Sequence, residues 1–284
     1  MQTHLQPVQG DVTAKSVALT QRPGLLAIWH LLSLDAPCVV TAWTWLVAKT
    51  EHVGLPAIAL IAMFLAVWTI YAADRLLDGS GNIVPDLEAR HWFHRRHRFG
   101  FRVALNVASL MLIPFVLAMS SRVLLLYVGL AMLLAGWFVL VHLFARERPL
   151  TLPKELIPGP FCAAAVFIPA WASLGFGHVA LAFGAATYAL LVILNCLCIY
   201  KWEHDNLAGA HWSTRLGVRW LNPLGAAIIV LSLFTDAPIG IATALAAALL
   251  LTLNQLRTAL DPITLRAASD LVLLTPILVV PFLR

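Results

Sequence analysis

Residues 68–78 read Trp68-Thr-Ile-Tyr71-Ala-Ala-Asp74-Arg75-Leu-Leu-Asp78, and they close a run in which nearly every residue from Val53 to Ala73 is apolar. Asp74 and Asp78 are four residues apart, so they lie on one face if this segment is a helix. Like charges at that spacing repel by roughly 0.2–0.5 kcal/mol in water, and by more where water is scarce. We therefore expect a cation beside the pair, and a divalent metal would supply one.

The composition of the chain is typical of an integral membrane protein. Of its 284 residues, 61% are hydrophobic and 12% are charged, whereas about 25% are charged in an ordinary soluble domain. Apolar runs of about 20 residues recur along the chain, and a helix of that length crosses the hydrocarbon core of a bilayer. We predict an all-α polytopic membrane protein, with an N-terminal segment, 1–23, before one transmembrane domain, 24–284.

Nine membrane spans are predicted, and their flanking charges give an orientation. The spans are residues 24–48, 53–73, 103–119, 122–144, 156–174, 179–200, 219–234, 238–256 and 263–283. The loops on the N-terminal side, counted with a few flanking positions, hold 16 of the 19 Lys and Arg residues. The positive-inside rule places that side in the cytoplasm. We expect a protein of the cell inner membrane, with its C-terminus on the opposite side.

Two aspartates lie inside predicted spans, where a charge costs at least about 2.5–3.5 kcal/mol on insertion scales. Asp270 is four residues after Arg266, so an ion pair within one helix is the simplest explanation for it. Asp35 has no charged neighbour in its own span, and Pro37 disturbs the backbone beside it. Its partner must come from another helix, a water-filled cavity or a ligand.

Acidic residues also appear where the sixth predicted span reaches the cytoplasmic side. Glu203 and Asp205 follow Lys201 there, and Lys201 and Asp205 share a helical face. A simple ion bridge between Lys201 and Asp205 is one explanation. A second is that acids at two helix ends hold Mg²⁺, while nearby cations, including Arg75 and Lys154, bind phosphate oxygens.

The loop after the second span is the most basic part of the chain. Residues 90–98 carry four Arg and three His. A metal site on the histidines is disfavoured, because the guanidinium groups would repel a divalent cation and no acid or Cys completes the set. Contact with anionic lipid headgroups and contact with ligand phosphates both fit the segment.

In combination, these features resemble the UbiA-type intramembrane prenyltransferase superfamily. Nine spans with a cytoplasmic N-terminus form the architecture of that family, and Leu34-Asp35-Ala36-Pro37 is similar to the Leu-Asp-Lys-Pro element of its first helix. Asp74 and Asp78 match the two aspartates of its first motif, Asn-x-x-x-Asp-x-x-x-Asp. The segment Leu152-Pro-Lys154-Glu-Leu-Ile-Pro-Gly159 resembles the one that opens its fifth helix. The stretch Asp205-Asn-Leu-Ala-Gly209 is similar to the surroundings of its second acidic motif.

The chain departs from the family pattern at two positions. Ile70 stands where the first motif has Asn, and Lys201 stands where the second motif has a metal-binding carboxylate. Either the second metal site is rebuilt around Glu203 and Asp205, or Lys201 replaces that metal and touches phosphate. A third alternative is lost or altered activity.

The resemblance implies a bundle of nine helices around a central cavity that opens to the cytoplasmic side. It also implies Mg²⁺-dependent transfer of a polyprenyl group from its diphosphate to an aromatic or other small acceptor. The implied catalytic residues are Asp74, Asp78, Glu203 and Asp205, of which Asp74, Asp78 and Asp205 would be metal ligands. The implied substrate-binding residues are Asp35, Tyr71, Arg75, Lys154 and Lys201.

Two other classes of function were compared with this one. A non-catalytic membrane protein of the same scaffold, binding lipid or prenyl diphosphate, is the main alternative, and Ile70 and Lys201 favour it. A transporter is less favoured, because internal repeats are not apparent and the acids gather at span ends. We expect membrane lipid around the protein and no nucleic-acid partner, and the sequence predicts no oligomeric state.

Overall fold

A computed structural model describes residues 24–78, 89–147, 153–204 and 206–283, and these contain helices and short connections but no strand. The α-helices are α1 (Leu25–Leu31), α2 (Asp35–Thr50), α3 (Ala57–Asp78), α4 (Ala89–Arg96), α5 (Arg98–Leu117), α6 (Ser121–Glu147), α7 (Pro158–Leu174), α8 (Val179–Glu203), α9 (Trp212–Arg219), α10 (Leu221–Ser232), α11 (Ala237–Leu256), α12 (Pro262–Leu271) and α13 (Pro276–Val279). The all-α prediction is therefore confirmed for the described ranges. The N-terminal segment 1–23 lies outside them.

Six helical stretches in the described ranges are long and apolar enough to cross a membrane. They are Ala57–Leu77, Arg98–Leu117, Ser121–Val141, Val179–Glu203, Ala237–Ala259 and Pro262–Phe282. The pair α1 and α2 adds a seventh if the two helices form one crossing, and α7 and α10 are shorter apolar helices. The chain is thus an all-helical membrane protein, and each predicted span coincides with at least one helix.

The first predicted span, 24–48, is not one straight helix. The axes of α1 and α2 differ by 88°, and Ser33 between them has a φ of 60°, in the left-handed region. Pro37 explains the break, because it has no N–H to donate to the carbonyl of Ser33, its partner four residues back in a continuous helix. Asp35 is therefore the first residue of α2, next to the break, and does not lie within a continuous helix.

The last predicted span is interrupted as well. After α12 the chain forms a 3₁₀ turn at Val272–Leu274, then the short helix α13 and a second 3₁₀ turn at Val280–Phe282. Pro276 lacks the N–H that would continue the α-helical pattern to Val272. A backbone carbonyl of this interrupted stretch is bound by a side chain instead, because the indole N–H of Trp43 donates to the carbonyl of Leu273 at 2.8 Å.

The core of the described bundle is built mainly from α2, α7, α8 and α11. The rings of Trp43 on α2 and Tyr188 on α8 are 4.5 Å apart, and both side chains are fully buried together with Phe167 of α7. Helices α7 and α8 approach closely at Gly159, where an added Cβ would lie 2.6 Å from the carbonyl oxygen of Ala189. This packing holds the polar ends of α2, α8 and α12 in fixed positions.

Helices α5 and α6 lie at the edge of the bundle. Only 11% of the residues in the apolar stretch of α5 are buried, and none of those in the apolar stretch of α6 are. A hydroxyl from Tyr127 on α6 donates to the carbonyl of Ala165 on α7 at 3.0 Å. Helices that are apolar on all sides yet exposed in the isolated chain are typical of contact with lipid.

Candidate polar site between the helix ends

A buried ion-pair network forms where α1, α2 and α3 meet. His30 Nδ1 lies 2.5 Å from Asp35 Oδ2, and both side chains are almost fully buried. Arg75 of α3 is also buried and has its guanidinium 3.6 Å from Asp35 Oδ2. Asp35 also accepts from the N–H of Ala36 at 3.0 Å, at a helix N-terminus that favours negative charge. The partners of Asp35 are therefore supplied by two other helices.

Arg75 is the central cation of this network, and its side chain bonds to the backbone beside the break between α1 and α2. It donates to the carbonyl of His30 at 3.1 Å and to the hydroxyl of Tyr71 at 2.7 Å. Its guanidinium also lies 4.3 Å from the centre of the Tyr71 ring, in cation–π range. The carbonyl of His30, which also accepts from the N–H of Ser33 at 3.0 Å, is thus bound in addition by a side chain from α3.

Asp270 of α12 joins the same cluster from the last span. It accepts from Asn195 Nδ2 of α8 at 3.0 Å, and its carboxyl lies within 4.8 Å of the nearest donor atoms of His30 and Asp35. Asp270 and Asn195 are each eight residues from the polar end of their helix, Pro262 or Glu203, which is about 12 Å at 1.5 Å per residue. Arg266 donates to Glu203 and lies near enough to Asp270 for the two charges to interact, but no ion pair within 4 Å joins them in the described residues.

Arg266 connects the ends of α8 and α3. Its guanidinium donates to the carboxylate of Glu203 at the end of α8. It also lies near enough to the phenol of Tyr71 for the two groups to interact electrostatically. The two predicted acidic helix ends are therefore linked through α12, a role for Arg266 that sequence spacing did not indicate.

A cavity of about 440 Å³ lies beside this connection, at the polar end of α8. Its charged and titratable lining residues are Lys201, Glu203, His204, Arg257 and Arg266. Three permanent cations against one carboxylate give this lining a net positive charge, and Glu203 is already paired with Arg266. Such a lining attracts an anion, and arginine in particular suits phosphate oxygens.

The other predicted site residues have different surroundings. Lys154 is exposed in the turn before α7. Asp74 is half-buried in the last turn of α3 and has a polar or electrostatic partner of its own. Asp78 ends α3, but its side chain lies outside the described part of the structure, as does Asp205. The proposed metal set of Asp74, Asp78 and Asp205 therefore stays a prediction.

The basic segment contributes one residue to the interior. His94 of α4 is fully buried and its Nε2 lies 3.1 Å from Ser33 Oγ, at the break between α1 and α2. Arg95, Arg96 and Arg98 are exposed. The described part of the segment thus combines a buried contact through His94 with a positively charged outer surface.

Sequence reasoning missed three residues of the polar network: His30, Asn195 and Arg257. His30 and Asn195 could have been found because each is a hydrogen-bonding side chain in an otherwise apolar helix. Such a side chain is costly in a membrane unless it has a partner. His30 was hidden by the assumption of a straight first span, which would have carried it away from Asp35. Comparison of the chain with protein-family models, with curated proteins and with solved structures finds no match.

Proposed function

We propose that the chain is an intramembrane Mg²⁺-dependent prenyltransferase, which moves a polyprenyl group from its diphosphate to an aromatic or other small acceptor. In this proposal the nine helical segments all cross the membrane around a cavity that opens to the cytoplasm. The C–O bond to the diphosphate breaks, the allylic carbon bonds to the acceptor, and the acceptor loses a proton. The apolar chain lies among the helices, in contact with lipid.

The observation that carries the proposal is the positively charged cavity at the end of α8. Lys201, Arg257 and Arg266 would bind the oxygens of the diphosphate there. From Arg266 the polar groups continue through Tyr71 to Arg75 on α3. Asp74 is the residue before Arg75, so in this proposal the acidic end of α3 lies next to these polar groups.

The carboxylates at the end of α3 fit Mg²⁺ by their chemistry. Asp74 and Asp78 share a helical face and offer the oxygen ligands that Mg²⁺ prefers when it is bound through one or two carboxylates and substrate phosphates. Glu203 is less available, because Arg266 occupies it. Bound Mg²⁺ would neutralise charge on the departing diphosphate.

The remaining predicted residues have supporting parts in this proposal. Lys201 contacts phosphate directly in place of a second metal, with Asp205 beside it in sequence. Lys154, exposed before α7, reaches the headgroup from the cytoplasmic side. Asp35 acts at a distance, by fixing the position of Arg75.

The experiment measures binding and turnover separately, because the acceptor is unidentified. Purified protein is incubated with labelled geranylgeranyl diphosphate, with Mg²⁺ or with a chelator, and both bound label and released diphosphate are measured. We expect Mg²⁺-dependent binding, slow release of diphosphate, and loss of release in Asp78→Asn. Lys201→Met should weaken binding about 10-fold or more, because a charged hydrogen bond contributes about 1.5–3 kcal/mol.

The exposed Arg219 provides a matched control, because Arg219→Met also removes one cation near the cytoplasmic end. Equal binding by Lys201→Met and Arg219→Met would remove the cavity from the proposal. Undiminished release by Asp78→Asn would remove the metal role of that residue.

One observation favours the second candidate, a non-catalytic protein that binds lipid or prenyl diphosphate. Lys201 occupies the first carboxylate position of the second motif, and Glu203, which could substitute for that carboxylate, is held by Arg266. Under this alternative, labelled geranylgeranyl diphosphate binds in the presence of Mg²⁺ but no diphosphate is released with any acceptor supplied.

A further inference from the structure

The cluster around Asp35 and Asp270 has one more negative charge than its neighbours compensate. Each aspartate carries one negative charge when ionised, and Arg75 supplies one positive charge. The positive charge of Arg266 is compensated by Glu203, to whose carboxylate the guanidinium donates a hydrogen bond. With His30 neutral, one negative charge stays unpaired among buried groups, which is costly inside a membrane domain.

A second observation comes from an acceptor that has no donor. Asn195 is 4% exposed. Its amide nitrogen donates to Asp270, but its Oδ1 atom is buried without a hydrogen-bond partner. Buried acceptors are almost always satisfied, so a cation or a proton donor is expected beside this oxygen, whose amide group also binds Asp270.

The separation of the donor atoms fits an ion. The nearest ligand atoms of His30, Asp35 and Asp270 all lie within 4.8 Å of one another. A cation that contacts oxygen at about 2.3–2.6 Å reaches donors separated by up to about 5 Å, so this limit admits an ion, and two of the three donors, on His30 and Asp35, are 2.5 Å apart. A divalent ion is disfavoured, because it would exceed the missing charge and the Arg75 guanidinium lies 3.6 Å from Asp35.

The backbone at the cluster is interrupted in two helices. Asp35 follows the break between α1 and α2, and Asp270 lies two residues before the 3₁₀ turn at Val272–Leu274. Non-helical backbone at membrane depth is tolerated where it is buried or lines a cavity. Broken helices beside buried acids commonly form sites for Na⁺ or H⁺.

We propose that His30, Asp35, Asn195 and Asp270 form a monovalent-cation site within the helical bundle, occupied by Na⁺ or by a proton. Either occupant supplies the one missing charge. The proton is held by a carboxyl or by His30, whereas Na⁺ is bound by carboxylate and amide oxygens. This proposal does not rest on the prenyl-transfer proposal and stands or falls separately.

Several charged or titratable groups face the cluster and must be considered in any pH experiment. They come from α1, α2, α3, α7, α8 and α12, and are His30, Asp35, Tyr71, Arg75, Cys162, Cys196 and Arg266. Only Asp270 is changed in the test below, because Asp270→Asn removes the surplus charge and keeps the shape of the side chain and one hydrogen-bond acceptor.

The test follows thermal unfolding of the purified protein in NaCl and in choline chloride at equal ionic strength, between pH 5 and pH 9. For a Na⁺ site we expect Na⁺ to raise the midpoint at pH 8 by at least about 2–4 °C, and the increment to vanish at low pH as protons replace it. For a proton site we expect the midpoint to fall as pH rises, in both salts. In either case Asp270→Asn should lose the part of the Na⁺ or pH response that comes from the cluster and keep only the pH response of other groups such as Glu51.

Asp261→Asn is the matched control, because it is the same chemical change at an exposed helix cap on the same helix, where Asn also caps well. It should respond to Na⁺ and pH as the wild type does. Infrared absorption of a protonated carboxyl group in the wild type, with and without Na⁺, decides the question if Asp270→Asn does not fold. The proposal is overturned if neither Na⁺ nor pH separates Asp270→Asn from the wild type. It is also overturned if the wild type shows neither a protonated carboxyl nor a response to Na⁺, or if only Mg²⁺ or Ca²⁺ stabilises through Asp270.

Discussion

Replacing Arg75 with methionine should destabilise the protein far more than removing its partner Asp35. The Arg75 guanidinium is buried and lies 3.6 Å from Asp35 Oδ2. Coulomb's law at an effective dielectric constant of 20 gives an attraction of about 4.6 kcal/mol for unit charges at that distance. Measured losses on breaking a buried pair are about 3–5 kcal/mol, so we expect a cost in this range for Arg75→Met.

Asp35→Asn should cost only about 1 kcal/mol, near the typical value for a point substitution. The asymmetry arises because the cluster holds two carboxylates, Asp35 and Asp270, and Arg75 is the guanidinium paired with Asp35. Loss of Arg75 leaves both negative charges in the cluster, whereas loss of the Asp35 charge removes the surplus one and leaves Arg75 bound to Tyr71 and to the carbonyl of His30. The double variant Arg75→Met with Asp35→Asn should be more stable than Arg75→Met alone.

The assay is reversible unfolding in bicelles or mild detergent, with all four members of the double-mutant cycle measured under one condition. Arg219→Met serves as the control, because Arg219 is exposed and surface changes usually stay within about 0.5 kcal/mol. If Arg75→Met is no less stable than Asp35→Asn, or if the double variant gains nothing over Arg75→Met, the charge assignment of the cluster is wrong.

Two further predictions concern the packing and the opposite end of the bundle. Gly159→Ala should destabilise by about 1–3 kcal/mol, because its Cβ would overlap the carbonyl of Ala189; Gly129→Ala, with open space around it, should be neutral in the same unfolding assay. Burial together with the neighbouring Asp236 raises the pKa of Glu51 above its ordinary value of 4.5. The folded state then binds a proton there more tightly than the unfolded state, so this contribution to stability is present at low pH and is lost as pH rises through the folded pKa. Glu51→Gln should flatten that part of the pH–stability curve, and an unchanged curve would contradict the assignment.

The helical architecture could be predicted from the sequence because membrane spans follow from hydropathy and length. Each of the nine predicted segments coincides with a helix, although six helical stretches meet the criteria for crossing on their own. The bend within the first segment could not be predicted. Pro37 signals a disturbance, but the 88° angle depends on Arg75 and His94, which reach the break from distant parts of the chain.

The candidate site was only partly predictable, for a related reason. Sequence spacing compares residues within one helix, so it found Asp74 with Asp78 and Arg266 with Asp270. The structure instead joins Asp270 to Asn195 and Arg266 to Glu203 across helices. Pairing between helices depends on rotation and depth, and these are set by the core packing of Trp43, Tyr188 and Phe167.

The break between α1 and α2 has a consequence for biosynthesis. Residues 24–48 leave the ribosome as one apolar segment, yet the groups that satisfy the break are made later. The side-chain donor to the carbonyl of His30 is 45 residues further along, and the side-chain partner of Ser33 is 61 residues further. The bend can therefore be completed only after α3 and α4 have been synthesised, so α1 reaches its final shape later than its place in the chain suggests.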